Sequence, residues 1–462
     1  MASHFSAIAL GIELIAGRSE TAIIAAVLLL EEIAMAPNST LAIHGGPKAV
    51  HCDGADRWPL FLKDDVSRRI GALLDAGTIT IADGGGIVAE FEAAFRDLAG
   101  TRFALTMNSG TATLHSAYFA AGVGPGTEVI VPSYTWHASV TPVLHCSATP
   151  VFADIDADTL TIDPADIERK ITDRTRAVCV VHTWGNVADM DRILAIARAR
   201  GIAVIEDASH AHGATYKGRP VGGIGDIGCF SMQGVKAVSG GEAGVATTND
   251  PVLFDRMVLL AHFGRGPKGE GARTFDAIGD MSLGAKYRPH PFAIALASSQ
   301  LPRLAELNRR RTHNYAVLND RVRGVPGIET VEPRDGSTRG GFLEFKFKIA
   351  RDVLRRVPLD RIEAALNAEG APFQKDRYSG MNYTYGLLHQ APLFTTFDRR
   401  SLGGCFYDPA TYTGPHPAVP LPVTEDVCTR LLSTYAFVDV DETYLHQLAD
   451  ALIKVMAQTE SL

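Results

Sequence analysis

Cysteine is scarce in this chain. Six occur among 462 residues, at positions 52, 146, 179, 229, 405 and 428, with no Cys-x-x-Cys pair and no metal-ligand spacing. That excludes a disulfide scaffold or a zinc ribbon and predicts reduced, mostly buried thiols. Positive charge is not in excess: 44 Lys and Arg face 52 Asp and Glu, a formal net charge of −8. The balance argues against a nucleic-acid partner and for a soluble protein. Long apolar runs are missing as well. The strongest, Ile23–Leu30, stops at Glu31 and Glu32, short of the roughly 20 residues that cross a bilayer. With Glu13 and Glu20 before it, it lacks the basic start of a secretory signal. A cytoplasmic protein without a membrane partner is expected. Internal repeats and low-complexity tracts are absent.

A chain of 462 residues exceeds one simple core, so two domains, or a large α/β domain with a smaller lobe, are expected. Residues 1–40 read as an extension outside the catalytic fold, with Met35 a natural alternative start. From there strands and helices alternate. Phe103–Met107, Glu128 onward, Thr149–Ile155, Ala177–His182 and Ile202–Ile205 read as strands, with helices at Ile87–Phe95, Ala112–Ala121 and Met190–Arg200 between them. Repeated strand-helix-strand units predict a mostly parallel sheet covered on both faces. A helix is expected over Phe292–Arg311, and an exposed glycine-rich loop over Ala261–Gly284. Beyond about Val325, Gly341–Lys348 alternates as a half-buried antiparallel strand with a helix, Leu359–Glu369, lying on it. The expected division is 41–310 for the large domain and 311–462 for the smaller α+β domain.

The chemistry gathers in Asp207–Gly244. Glu206 and Asp207 end an apolar strand, where open α/β sheets place ligands. A glycine-rich turn follows, then Gly228–Ser231 and Lys236 among small residues. Singly, Asp207 reads as a helix cap, Ser231 as a strand-edge hydroxyl and Lys236 as a solvated lysine. Upstream, Ser109-Gly110-Thr111 stands at a helix start, where free amides and the helix dipole suit either a phosphate or an ordinary cap. His182, His210 and His212 have no carboxylate or thiolate at ligand spacing, so no metal is expected.

Taken in order, Ser109-Gly110-Thr111, Asp207 and the Phe230-Ser-Met-Gln-Gly-Val-Lys236 run resemble the DegT/DnrJ/EryC1/StrS family of sugar and aminocyclitol aminotransferases, most of all its inosose-aminating branch. The resemblance spans roughly Leu41–Val455. It implies a fold-type-I pyridoxal 5'-phosphate (PLP) transferase, with Lys236 holding the cofactor and moving a proton, and Asp207 keeping the pyridine nitrogen protonated. It further implies that Ser109, Gly110, Thr111 and Ser231 fix the phosphate, Trp136 stacks on the ring, and His210 bears on its 3-hydroxyl. His389 and Arg288 are implied substrate contacts. The amino group would pass from glutamate or glutamine to a keto-sugar or keto-cyclitol, in antibiotic or cell-surface sugar biosynthesis. A homodimer with shared sites is implied, with Lys286 reaching the partner's phosphate where the family usually has Asn. A second departure, Ala243 in place of glycine, matters only if the backbone there needs positive φ. Two other readings stay open: a PLP-dependent lyase, dehydratase or ring-forming enzyme, and a non-catalytic PLP-binding regulator.

Overall fold

A computed structural model describes residues 40–52, 62–263, 265, 282–378, 387–398, 401 and 417–462. The expected extension therefore lies, apart from Thr40, outside the described residues, as do most of the expected 261–284 loop and Tyr385-Gly386.

Apolar, β-branched segments too short for helices build the central sheet. Its strands are β1 (Phe103–Met107), β2 (Glu128–Pro132), β3 (Thr149–Ala153), β4 (Thr175–Val181), β5 (Ala203–Asp207), β6 (Ile227–Ser231) and β7 (Gly244–Thr248). They lie in the order β1-β7-β6-β5-β4-β2-β3. β2 to β6 run parallel, and β7 is antiparallel to both neighbours. Residues of a strand alternate between two cores. Val178, Val180 and Val204 pack with Phe91, Phe95 and Ile193 on one face. Ala177, Cys179, Val181 and Ile205 pack with Leu114, Ala117 and Met257 on the other. Burial on both faces is why these strands read as continuous apolar runs.

Local signals set the helix ends. Asp189 accepts from the Arg192 amide to cap Met190–Arg200, and Gly201, at φ 64°, closes that helix. Asp250 caps Pro251–Ala261 through the amides of Val252 and Leu253. The helix expected over Phe292–Arg311 is two helices, Pro291–Gln300 and Leu304–Val322. The Leu301–Arg303 turn between them carries Pro302, which lacks an N–H and clashes with the preceding turn.

The smaller lobe holds β8 (Ile328–Thr330), β9 (Glu344–Ile349), β10 (Gln374–Lys375) and β11 (Leu431–Tyr435), in the antiparallel order β8-β9-β11-β10. Phe345, Phe347 and Ile349 join its core with Leu366, Leu448 and Leu452. β9 is not half-buried as expected, since Glu344, Lys346 and Lys348 on its polar face are covered too. Lys346 lies 3.7 Å over the ring of Trp184, and Lys348 donates to the Ala157 carbonyl at 3.0 Å, so the large lobe supplies the cover. The lobes also divide differently from the expected 41–310 and 311–462. Leu41 and Val50 sit in the small-lobe core, and the amides of Ala42 and Ala49 donate to buried Glu369. Two apolar side chains and two part-buried hydrogen bonds hold residues 41–50 against the small lobe.

Candidate active site

Strand alternation aims neighbouring carboxylates in opposite directions at the end of β5. Glu206 turns to one face, where it accepts from the amides of Gly222 (3.0 Å), Ile224 (2.8 Å) and Gly225 (2.6 Å) and from His182 Nε2 (3.0 Å). Burial pushes its carboxyl up, yet His182 and the amides outweigh burial and hold it below its usual value. His182 Nδ1 accepts from the Ala188 amide at 3.3 Å, which leaves Nε2 as the donor to Glu206. This histidine is a strut of the fold. Asp207 turns the other way into a cavity of about 450 Å³. Its Oδ2 accepts from Ser139 Oγ at 2.7 Å and its Oδ1 from the Ser209 amide at 3.1 Å.

Lys236 lines the same cavity, brought there by the turn after β6. Burial lowers its amine to about 8, against the pull of Asp207. Ser109, Gly110 and Thr111 form another wall at the head of the helix Gly110–Ala120. Ser109 also caps that helix, accepting from the Ala112 amide at 3.1 Å, so cap and ligand-facing turn are the same structure. The backbones are tightly fitted here. A Cβ on Gly110 would stand 2.6 Å from Ser231 Cβ, and one on Gly244 would stand 2.5 Å from the Ser109 carbonyl oxygen. Ala243, the departure noted above, is not among the positive-φ residues, so its methyl group adds no backbone strain.

Trp136, 39 % exposed, and buried His210 complete the large-lobe wall. His210 is stacked on Trp184 at 4.7 Å between centroids and on Tyr378 at 6.0 Å. Burial, then the charges of Lys236, Arg377 and Lys346, hold its pKa well below the usual value, so the ring is neutral. His212 points away, packing against Phe230 at 5.3 Å. Among the described residues no group of His, Cys, Asp and Glu could hold a metal ion.

The cavity thus unites Lys236, Asp207, Ser109, Gly110, Thr111, Trp136, His210 and Ser231, and within one chain it leaves out three predicted residues. Lys286 is exposed, at φ 57°. Arg288 lies beyond the cavity, close enough to His262 to depress its pKa. His389 is buried elsewhere, bound to Ser133 Oγ (2.8 Å) and Glu425 Oε1 (3.0 Å), and lines a second cavity with Phe152 and Phe394. Sequence reasoning missed Ser139, Leu343, Arg377 and Tyr378, which also line the active-site cavity. Ser139 sits in a short 3₁₀ turn, and the other three arrive from the small lobe, so no local pattern marks them.

A mostly parallel sheet whose strand-end acid shares one cavity with a lysine and a helix head defines a fold-type-I transferase of amino groups. The chain belongs to the DegT/DnrJ/EryC1/StrS aminotransferase family, whose model matches residues 62–396. It is an aminotransferase. It is 38% identical over 340 residues to the L-glutamine:scyllo-inosose aminotransferase of Streptomyces griseus, covering 72% of this chain and 79% of that one. Over 229 residues it is 43% identical to the GDP-perosamine synthase of Caulobacter vibrioides, covering 50% and 60%. Among solved structures it is similar to DesI, crystallised with its TDP-sugar product, at TM-score 0.72 and 28% identity, covering 91% of this chain and 97% of that one. No helix among the described residues is long and apolar enough to cross a membrane.

Proposed function

We propose that this protein uses PLP to pass the amino group of L-glutamine or L-glutamate to a keto-cyclitol or keto-sugar. The observation that carries the reading is the placement of Asp207, Lys236 and the Ser109-capped helix head around one cavity. PLP fits this donor set. The helix head offers amides and a positive dipole end to a phosphate, Ser231 adds a hydroxyl beside Gly110, and Trp136 offers a flat wall. The cofactor, when bound, supplies an electron sink for the bond-breaking at the donor's α-carbon.

The chain's own groups do the rest. Asp207, fixed by Ser139 and the Ser209 amide, holds a proton at a facing ring nitrogen through a charge-assisted bond. Lys236 Nζ, with its pKa lowered to about 8, gives up and retakes a proton near neutral pH more readily than a solvated lysine. Neutral His210, whose Nε2 meets the Tyr378 hydroxyl at 3.3 Å, would be the hydrogen-bonding partner of the ring oxygen. An inosose-aminating relative supports a cyclitol acceptor, and a GDP-sugar relative keeps the keto-sugar in view. The protein works as a homodimer in this reading. Exposed Phe263 and Leu283 flank the segment carrying Lys286 and Arg288, which makes it a natural face for a second copy.

The test is the donor half-reaction. Purified holoprotein given L-glutamine or L-glutamate should convert its cofactor spectrum to that of pyridoxamine phosphate. Borohydride should fix the cofactor to Lys236, and Lys236→Ala should abolish both results. Reduced cofactor found on Lys217 or Lys286 by mass spectrometry would overturn the assignment.

A further inference from the structure

We propose that Arg377 binds the carboxylate of the amino donor. The inference rests on the transaminase reading above and adds to it the group that separates the two substrates. An amino-acid donor and a keto-cyclitol acceptor use one cavity in turn, but only the donor carries a carboxylate.

Among the described residues lining the cavity, Lys236 and Arg377 are the basic side chains besides His210, and Arg377 is the permanently charged one. Lys236 is committed to the cofactor, which leaves Arg377 on this chain. Arg377 follows β10 and enters from the small lobe beside Tyr378, which is stacked on Trp184 at 4.8 Å between centroids. Its charge reaches the reacting groups, since it lowers the pKa of both Lys236 and His210.

The surroundings are built to hold it. Arg377 pairs with Glu344, whose side chain is fully buried while that of Arg377 is 24% exposed. Glu344 also takes Lys346 Nζ at 2.5 Å, and Lys346 pairs in turn with Asp376. Two cations and two anions thus balance on the rear of the cavity wall. A guanidinium carries five N–H donors in a planar fork and can grip two carboxylates at once. Glu344 therefore acts as a resident counter-ion. It keeps Arg377 balanced while an uncharged acceptor occupies the cavity, and the same arginine accepts a second carboxylate when the donor enters.

The test compares L-glutamine with L-glutamine α-amide, which lacks only the carboxylate charge, in the donor half-reaction of wild-type, R377Q and R377K holoenzymes. Wild type should prefer the acid. R377Q should cut the acid-over-amide ratio of kcat/KM at least tenfold, through KM for the acid, and R377K should restore part of it. An equal loss for both donors would show a structural role and overturn the proposal. So would an unchanged ratio, or a ratio lowered instead by R288Q. If R377Q does not fold, R377K decides, with several-fold loss of the ratio expected. Wild-type enzyme inert toward L-glutamine and L-glutamate alike would sink the transaminase reading itself, a result distinct from any of these.

Discussion

Glu206 and Asp207 are neighbours on one strand, both buried, and the fold treats them oppositely. Four donors converge on Glu206, three of them amides of the turn at 222–225, with His182 as the fourth. Asp207 has one hydroxyl and one amide, and past them an open cavity. A carboxylate whose acceptor sites are filled by the protein holds structure together. One left partly unfilled beside a cavity is available for a ligand. The difference lies in the surroundings, because sequence position and burial are nearly the same.

The sharpest way to break the comparison is Glu206→Gln. It removes the charge yet leaves the inward-pointing amides and His182, so stability should fall by about 1.5–3 kcal/mol, as for hydrogen bonds to a buried charge that are lost. Turnover per folded molecule should hold, and denaturant unfolding with an active-site titration reads both. Asp207→Asn should do the reverse. Folding should be little changed, while turnover should fall by at least 10- to 100-fold, the equivalent of a charge-assisted hydrogen bond at about 1.5–3 kcal/mol. Near-normal turnover would remove Asp207 from the site.

Ser139→Ala asks how far positioning alone matters. Asp207 loses one of its two described donors, and the cost should be about 1 kcal/mol, roughly fivefold in turnover. The last effect is one of pH. In apo-protein labelled with an amine-reactive anhydride and followed by mass spectrometry, Lys236 should react with a midpoint near 8. Because the folded amine loses its proton before the unfolded one does, this group's contribution to stability rises with pH between about 8 and the unfolded lysine value of about 10.4. Lys236→Met should abolish that rise.

Much of the fold was legible in the chain. The apolar runs placed β1 to β5, with bounds off by up to about two residues, and Met190–Arg200 formed the expected helix, which Asp189 caps. Ser109-Gly110-Thr111, Asp207, Ser231 and Lys236 were singled out by the family resemblance of their order rather than by local rules, and they line one cavity. The break at Pro302 was missed, because the period of the flanking helices runs across it. Arg377 and Tyr378 carried no such mark. They follow a two-residue strand and gain meaning only where the small lobe meets Trp184 and His210.

The sequence by itself determined the parallel sheet, its helix caps and the residues of the large-lobe wall, since propensity, period and capping act over a few neighbouring positions. Tertiary structure decided which carboxylate faces the cavity with its sites unfilled, and why the polar face of β9 is buried. It also decided that Leu41 and Val50 join the small-lobe core and that Arg377 lines the far side of the site. The roles of the two carboxylates depend on partners up to 68 residues away, and the other decisions on groups more than a hundred residues apart, and no pattern within a short window of sequence encodes those meetings.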